Sequence, residues 1–170
     1  MSCGERKEST NAEKIVKVMS NVITEPTEAE TKPSDQQIDS FFMGYEKEYN
    51  DALASGKVNV YGIADYFAGC FIESNPQGVL CGKNDKEFKH TIKQGYAFYK
   101  SIGTVSMKIL DKETVALNNE RSMVTVHWQT KVKKKDASEV SLEFEVIYLL
   151  QIIHDELKIF AYLAEDEQKI

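Results

Sequence analysis

The spacing of the apolar residues changes once along the chain, at Gly103–Thr104, and this switch constrains the fold more than any other feature. Before it, hydrophobic side chains recur every three or four residues: Ile38, Phe41, Phe42, Tyr45, Tyr49 and Leu53, then Phe88, Ile92, Tyr96, Tyr99 and Ile102. That spacing lines one face of a helix. After it, strict alternation takes over, as in Val140, Leu142, Phe144, Val146, Tyr148, Leu150 and Ile152. Alternation of this kind belongs to a strand with one buried face. Helices followed by a run of strands make an α+β arrangement, the helices covering one face of a curved antiparallel sheet.

Local signals place the elements. Ser34 or Asp35 can accept from the free N–H groups that open the first helix, and Gly56 follows as its stop. A second, shorter helix is expected over Val60–Phe67, presenting Ile63, Tyr66 and Phe67. The Asp65–Gly82 segment then reads as a strand, a turn at Pro76 and a second strand. Asn84 or Asp85 caps the third helix, with Gly95 or Tyr96 on its apolar stripe, and Gly103 ends it. Strands are expected near 104–111, 113–118, 121–134, 138–153 and 157–164. Residues 1–34 read as a flexible or partly ordered tail; Thr24–Ser34, with Pro26 and Pro33, lacks any packing pattern.

Charge and motif content exclude several function classes. A formal net charge of −6 disfavours nucleic-acid binding, which needs concentrated Lys and Arg. The basic cluster Lys131, Lys133, Lys134 and Lys135 lies between two strand-like runs and reads as a solvated hairpin tip. No apolar run reaches the roughly 18 residues of a membrane span. Metal-ligand spacings, a Gly-rich phosphate loop and a nucleophile elbow are all missing, so no cofactor or metal is expected.

The three cysteines, Cys3, Cys70 and Cys81, form no disulfide framework. If Ser74 pairs with Gln77, Cys70 falls opposite Cys81; a slip of two separates them, and two buried thiols are then expected. Cys3, followed by the polar run Gly4–Asn11, resembles the lipid-bearing cysteine of a bacterial lipoprotein. A cytoplasmic location is the default expectation. A cell-envelope lipoprotein is the alternative if a signal segment precedes Met1.

The order helix, helix, short hairpin, helix and long strands, with Glu48–Gly56 and Tyr66–Gly82, resembles the nuclear transport factor 2-like superfamily across residues 35–165. The nearest branch is the SnoaL-like and ketosteroid isomerase-like one. The resemblance implies one domain over residues 35–170, a cone-shaped, cystatin-like roll with three helices on the concave face of the sheet. It also implies a pocket between the layers and a homodimer through the outer sheet face.

The isomerase branch places a tyrosine donor on the first helix, and Tyr49 in Tyr49-Asn50-Asp51-Ala52-Leu53 matches it. Its general base stands directly before the proline, where this chain has Asn75. An amide cannot take a substrate proton at neutral pH. Glu73, two residues earlier on the same strand face, is the substitute candidate.

Parity assigns the remaining faces. Val124, Val126, Trp128, Thr130 and Val132 share the inner face with the apolar set of the following strand, which sends His127, Gln129 and Lys131 outward. His90 and His154 are expected in solvent. Glu143 and Glu145 have outward parity, so the later strands offer no inward acid. The outer set Glu139, Ser141, Glu143, Glu145, Ile147, Leu149, Gln151 and Ile153 is half charged and half apolar, a surface that suits a partner.

The expected pocket is lined by Tyr45, Tyr49, Tyr66, Asn75, Trp128 and Tyr148, with Phe160 or Tyr162 beside them. Such a lining suits a small apolar or ring-shaped ligand. An isomerase, cyclase or dehydratase using Tyr49 and Glu73 is the alternative. A dimerising module with a vestigial pocket is the third reading.

Overall fold

The structure is a computed structural model that describes residues 32–164. The expected tail before Lys32, including Cys3, lies outside the described residues.

Helix α1 (Asp35–Ser55) starts at Ser34. The Ser34 hydroxyl accepts from the Gln37 N–H at 3.2 Å, and the Gln37 side chain accepts from the Ser34 N–H at 2.9 Å. This reciprocal box satisfies two N–H groups that helical bonding leaves free. Gly56 closes the helix at φ 67°, a left-handed conformation that costs glycine little.

Helix α2 (Val60–Asp65) is shorter than expected. The Tyr66 carbonyl accepts from the Ile159 N–H at 2.7 Å, so the sheet captures the chain there and Phe67 already belongs to a strand. Helix α3 (Lys86–Ser101) is capped by Asp85, which accepts from the Glu87 and Phe88 N–H groups at 2.9 and 3.2 Å. Asn84 instead ties the turn after α2, donating to the Ala64 and Phe67 carbonyls at 2.6 and 3.1 Å.

Six strands follow the order β2-β1-β6-β5-β4-β3 in one sheet. They are β1 (Phe67–Asn75), β2 (Gly78–Lys83), β3 (Thr104–Ala116), β4 (Arg121–Lys133), β5 (Glu139–Ile153) and β6 (Glu156–Ala164). Only β1 and β6 run parallel. The sheet curls around the three helices, and the α+β roll expected from the sequence is the fold of this chain.

Two expectations for the strands are corrected. Residues 104–116 form one strand, because the register shifts between Ile109 and Asp111. The extra residue, Leu110, reverses side-chain parity without ending the strand. In the β1–β2 hairpin Asn75 pairs with Gly78, so Cys70 faces Lys83 and Cys81 faces Ile72. This is the slip of two that separates the thiols. Both cysteines are free and exposed rather than buried, since they stand on the outer face of the sheet's edge.

The core lies between the inner sheet face and the helices. Ile38 and Phe42 of α1 meet Val124, Val126, Leu150 and Ile159, all at 1% exposure or less. Burying a side chain of this kind contributes about 1.5–3 kcal/mol. Helix α1 also covers the free edge of β3. The Asn50 side chain donates to the Met107 carbonyl at 2.7 Å and accepts from its N–H at 3.0 Å, while Glu46 accepts from the Ile109 N–H at 2.8 Å. These contacts occupy edge groups that otherwise invite another strand.

The inward and outward assignments for β4 and β5 hold. His127 points outward, 3.3 Å from Glu143, and Gln129 donates to the same carboxylate at 3.1 Å. His90 and His154 are exposed. On the outer face Met123 pairs with Leu149, Thr125 with Ile147, and Ile147 with Leu163, making an apolar band across three strands.

Candidate functional site

A cavity of about 400 Å³ opens between helices α1 and α3 and the inner face of the sheet. Half of its lining residues are Tyr or Phe. Tyr45 and Tyr49 come from α1; Ile92, Gly95, Tyr96 and Tyr99 from α3; Tyr148 from β5 and Tyr162 from β6. The helical members recur at intervals of three and four because only such positions return to the same side of a helix. Three of the strand members sit in one cross-strand row: Glu73 pairs with Tyr162, and Tyr162 with Tyr148.

The rings hold one another in place. Tyr45 packs edge-on against Tyr49 with centroids 5.4 Å apart, Tyr49 lies 4.9 Å from Tyr96, and Phe67 lies 5.0 Å from Phe88. Aromatic pairs at such separations add about 0.5–1.5 kcal/mol beyond area burial, so these walls are built to keep their shape. Phe71 adds a further brace. Its ring lies over Gly82 of β2, where any β-carbon would collide with it.

Glu73 lines this cavity from β1, half-buried. Its Oε1 accepts from the Asn75 amide at 3.0 Å, and the Tyr162 hydroxyl hydrogen-bonds the same carboxylate. The turn does not break the parity of Glu73 and Asn75, because the strand continues to Asn75 before Pro76 leaves it. An inward acid is therefore present, on β1 rather than on the later strands.

Asn75 has a different task from the base whose position it occupies. Its Oδ1 accepts from the Gln77 N–H at 2.9 Å, closing the turn, and its Nδ2 orients Glu73. An acid at this position could do the first but could not donate from an ionised oxygen.

Tyr45, Tyr96 and Tyr162 are held as neutral phenols. Burial, followed by the hydrogen bond and charge of Glu73, pushes Tyr162 far above the usual phenol range. Burial likewise raises Tyr96, with Tyr49 and Glu48 adding to the effect. Tyr45 is raised by burial first and then by its phenol neighbours. The Tyr96 hydroxyl is buried without a hydrogen-bond partner.

Tyr45, Tyr49, Asn75 and Tyr148 line the cavity as the sequence suggested, and Glu73 joins them. Tyr66 and Trp128 do not. Tyr66 packs 5.0 Å from Phe41 on the other side of Tyr45, and Trp128 stands behind Tyr45 and Tyr49 at 6.4 and 6.3 Å. Of the two residues at the end of the chain, Tyr162 faces inward. The register shift between Leu149 and Leu150 leaves Phe160 outside the β5–β6 pairing.

Sequence reasoning treated Tyr96, Tyr99 and Gly95 only as a helical stripe. Their spacing marks a buried face but cannot tell core from cavity wall. Among the described residues no group of three or more His, Cys, Asp or Glu is placed to hold a metal. No helix among them is long and apolar enough to cross a membrane.

A curled six-stranded sheet enclosing an aromatic cavity under three helices defines a cystatin-like roll. A family model described as NTF2-like protein (DUF6841) matches residues 34–167, and the chain belongs to this family. No curated protein sequence matches it.

Solved structures share the fold. An NTF2-like protein with a cystatin-like fold from Novosphingobium aromaticivorans superposes with a TM-score of 0.58 at 8% identity, over 95% of this chain and 91% of that one. A ketosteroid isomerase-like protein from Erwinia carotovora atroseptica gives 0.56 at 13% identity, over 76% of this chain and 93% of that one. An NTF2-like protein of unknown function from Shewanella oneidensis gives 0.54 at 18% identity, over 75% and 98%.

Proposed function

We propose that this protein binds a small, ring-shaped, largely apolar ligand in the aromatic cavity. The observation that carries the reading is the volume of about 400 Å³ left open inside a wall that is half tyrosine and phenylalanine. Pockets of roughly 300–1,000 Å³ with apolar walls and a few convergent polar groups are what small-molecule sites look like. A vestigial pocket would be filled by its own side chains. Calorimetric titration with naphthylmethanol, a neutral probe of suitable size, tests the reading. Saturable binding at one site per chain is expected, and no detectable binding at millimolar probe overturns it.

A second reading has one specific observation behind it. Glu73 stands inside the cavity beside Tyr162, with Tyr148 one strand further along the same row, so a carboxylate and phenols line one wall. This is the material for proton transfer next to a polarised carbonyl, as in an isomerase, cyclase or dehydratase. Deuterium exchange at the carbon beside the carbonyl of tetralone, followed by NMR, is the test. Exchange accelerated by the wild type and lost in Glu73→Gln supports it; exchange at the solvent rate dismisses it.

The outer sheet face supports a homodimer. The Met123, Ile147, Leu149 and Leu163 band, flanked by Glu143, Glu145 and His127, suits a second copy of the same surface turned about a two-fold axis. Leu149→Glu then converts a dimer to a monomer in sedimentation. A wild type that sediments as a monomer at micromolar concentration refutes this.

A further inference from the structure

Glu73 gives the cavity a charge, and among the described residues no cation is paired with it. No Lys, Arg or His among the described residues lines the cavity. Among the described residues the ion pairs lie elsewhere, and none includes Glu73. Its two hydrogen-bonding neighbours, Asn75 and Tyr162, are neutral groups that can donate. That pattern suits an acceptor-only carboxylate rather than an acid that must donate a proton of its own. A half-buried carboxylate without a counter-ion is costly, and a cation brought to it regains much of that cost.

The surroundings favour a cation for a second reason. Tyr162 is the neighbour of Glu73 in the cross-strand row and Tyr148 follows it on the next strand, the two rings having centroids 6.5 Å apart and planes inclined by 31°. Phe71 lies 6.4 Å from Tyr162 on the other side, nearly parallel to it at 27°. Aromatic faces carry partial negative charge and attract ammonium groups within about 6 Å. Tyr162 itself stays neutral, since burial and Glu73 hold it far above the usual phenol range. Glu73 is thus the single formal charge in a wall of electron-rich rings.

We infer that the ligand of this cavity is a protonated amine carried on a ring-shaped apolar body, its ammonium group seated on Glu73. The inference rests on the reading of the cavity as a ligand site and adds the charge of the ligand to it. It excludes carboxylates and phosphates, which would meet Glu73 with no cation to offset the repulsion. Asn75 and Tyr162 act as positioning residues. They occupy part of the carboxylate's acceptor capacity and leave the remainder for the ligand.

The test uses three probes that differ only in the polar group: naphthylmethylamine, naphthylmethanol and naphthoate, titrated into the full chain by calorimetry. A hydrogen bond to a charged group favours the amine over the alcohol by roughly tenfold to a hundredfold, and naphthoate is expected not to bind. In Glu73→Gln the amine's advantage over the alcohol falls below about twofold. If that variant does not fold, the ranking of the three probes on the wild type, repeated at high salt, decides the matter. Alcohol binding as tight as amine, or any preference for naphthoate, overturns the inference while leaving the cavity reading intact. If none of the three binds, the cavity reading falls and this inference with it.

Discussion

Gly95 offers a direct probe of whether the cavity is open space. It lies on the cavity side of α3 in ordinary helical backbone, and a β-carbon built on it meets no atom within 4 Å. Gly95→Ala removes the entropic cost of a helical glycine, about 1 kcal/mol. That corresponds to a rise in Tm of about 2–4 °C for a chain of this size. Gly95→Leu adds three further carbons. Each is worth about 0.8 kcal/mol when fully buried, and roughly half of that where the position is half-buried. The leucine variant is therefore expected to melt about 4–8 °C higher. It also occupies the volume a ligand needs, so naphthylmethanol affinity falls at least about tenfold, whereas Gly95→Ala keeps it within about threefold.

Differential scanning calorimetry and titration calorimetry on the same preparations read both effects. Destabilisation by leucine would mean the space is not there. Stabilisation with undiminished binding would place the ligand elsewhere.

Other expectations test the scaffold. Asn50→Ala leaves both backbone groups of Met107 at the β3 edge without their partner and costs about 1–3 kcal/mol in chemical denaturation. Gly82→Ala drives a methyl group into the Phe71 ring, costs about 1–3 kcal/mol, and weakens ligand binding because Phe71 braces Tyr162. Stability also falls with alkaline pH. Tyr45 and Tyr162 are raised above the ordinary 10.0, so the unfolded chain releases phenolic protons that the folded chain retains. Their contribution is complete below pH 10 and is lost above it, which absorbance-monitored titration of the phenols and melts at increasing pH will register.

The architecture was legible because it rests on repetition. The change of period at Thr104, the caps Ser34 and Asp85, and the stop at Gly56 are each local, and together they define the layers. Parity then carried β4 and β5, where alternation is unbroken. It could not decide the bulge at Leu110 or the register at Cys70 and Cys81, because a bulge or a two-residue shift leaves no mark in composition. The site was legible in part. Tyr45, Tyr49 and Tyr148 follow from face assignment, yet the same rule could not separate Trp128, which packs behind two wall tyrosines, from a wall residue. Glu73 was the least accessible. Its direction depends on how far β1 runs before Pro76, and its importance on β6, some ninety residues away in the chain, lying parallel beside it.

A crystal structure grown with naphthylmethanol is the most direct measurement of the central claim, that the aromatic cavity is a ligand site. Ring density between Tyr49, Tyr96 and Tyr148, with the hydroxyl turned toward Glu73, is the expected result. A cavity closed by the protein's own side chains, with the probe absent or bound only on the outer sheet face, would contradict it.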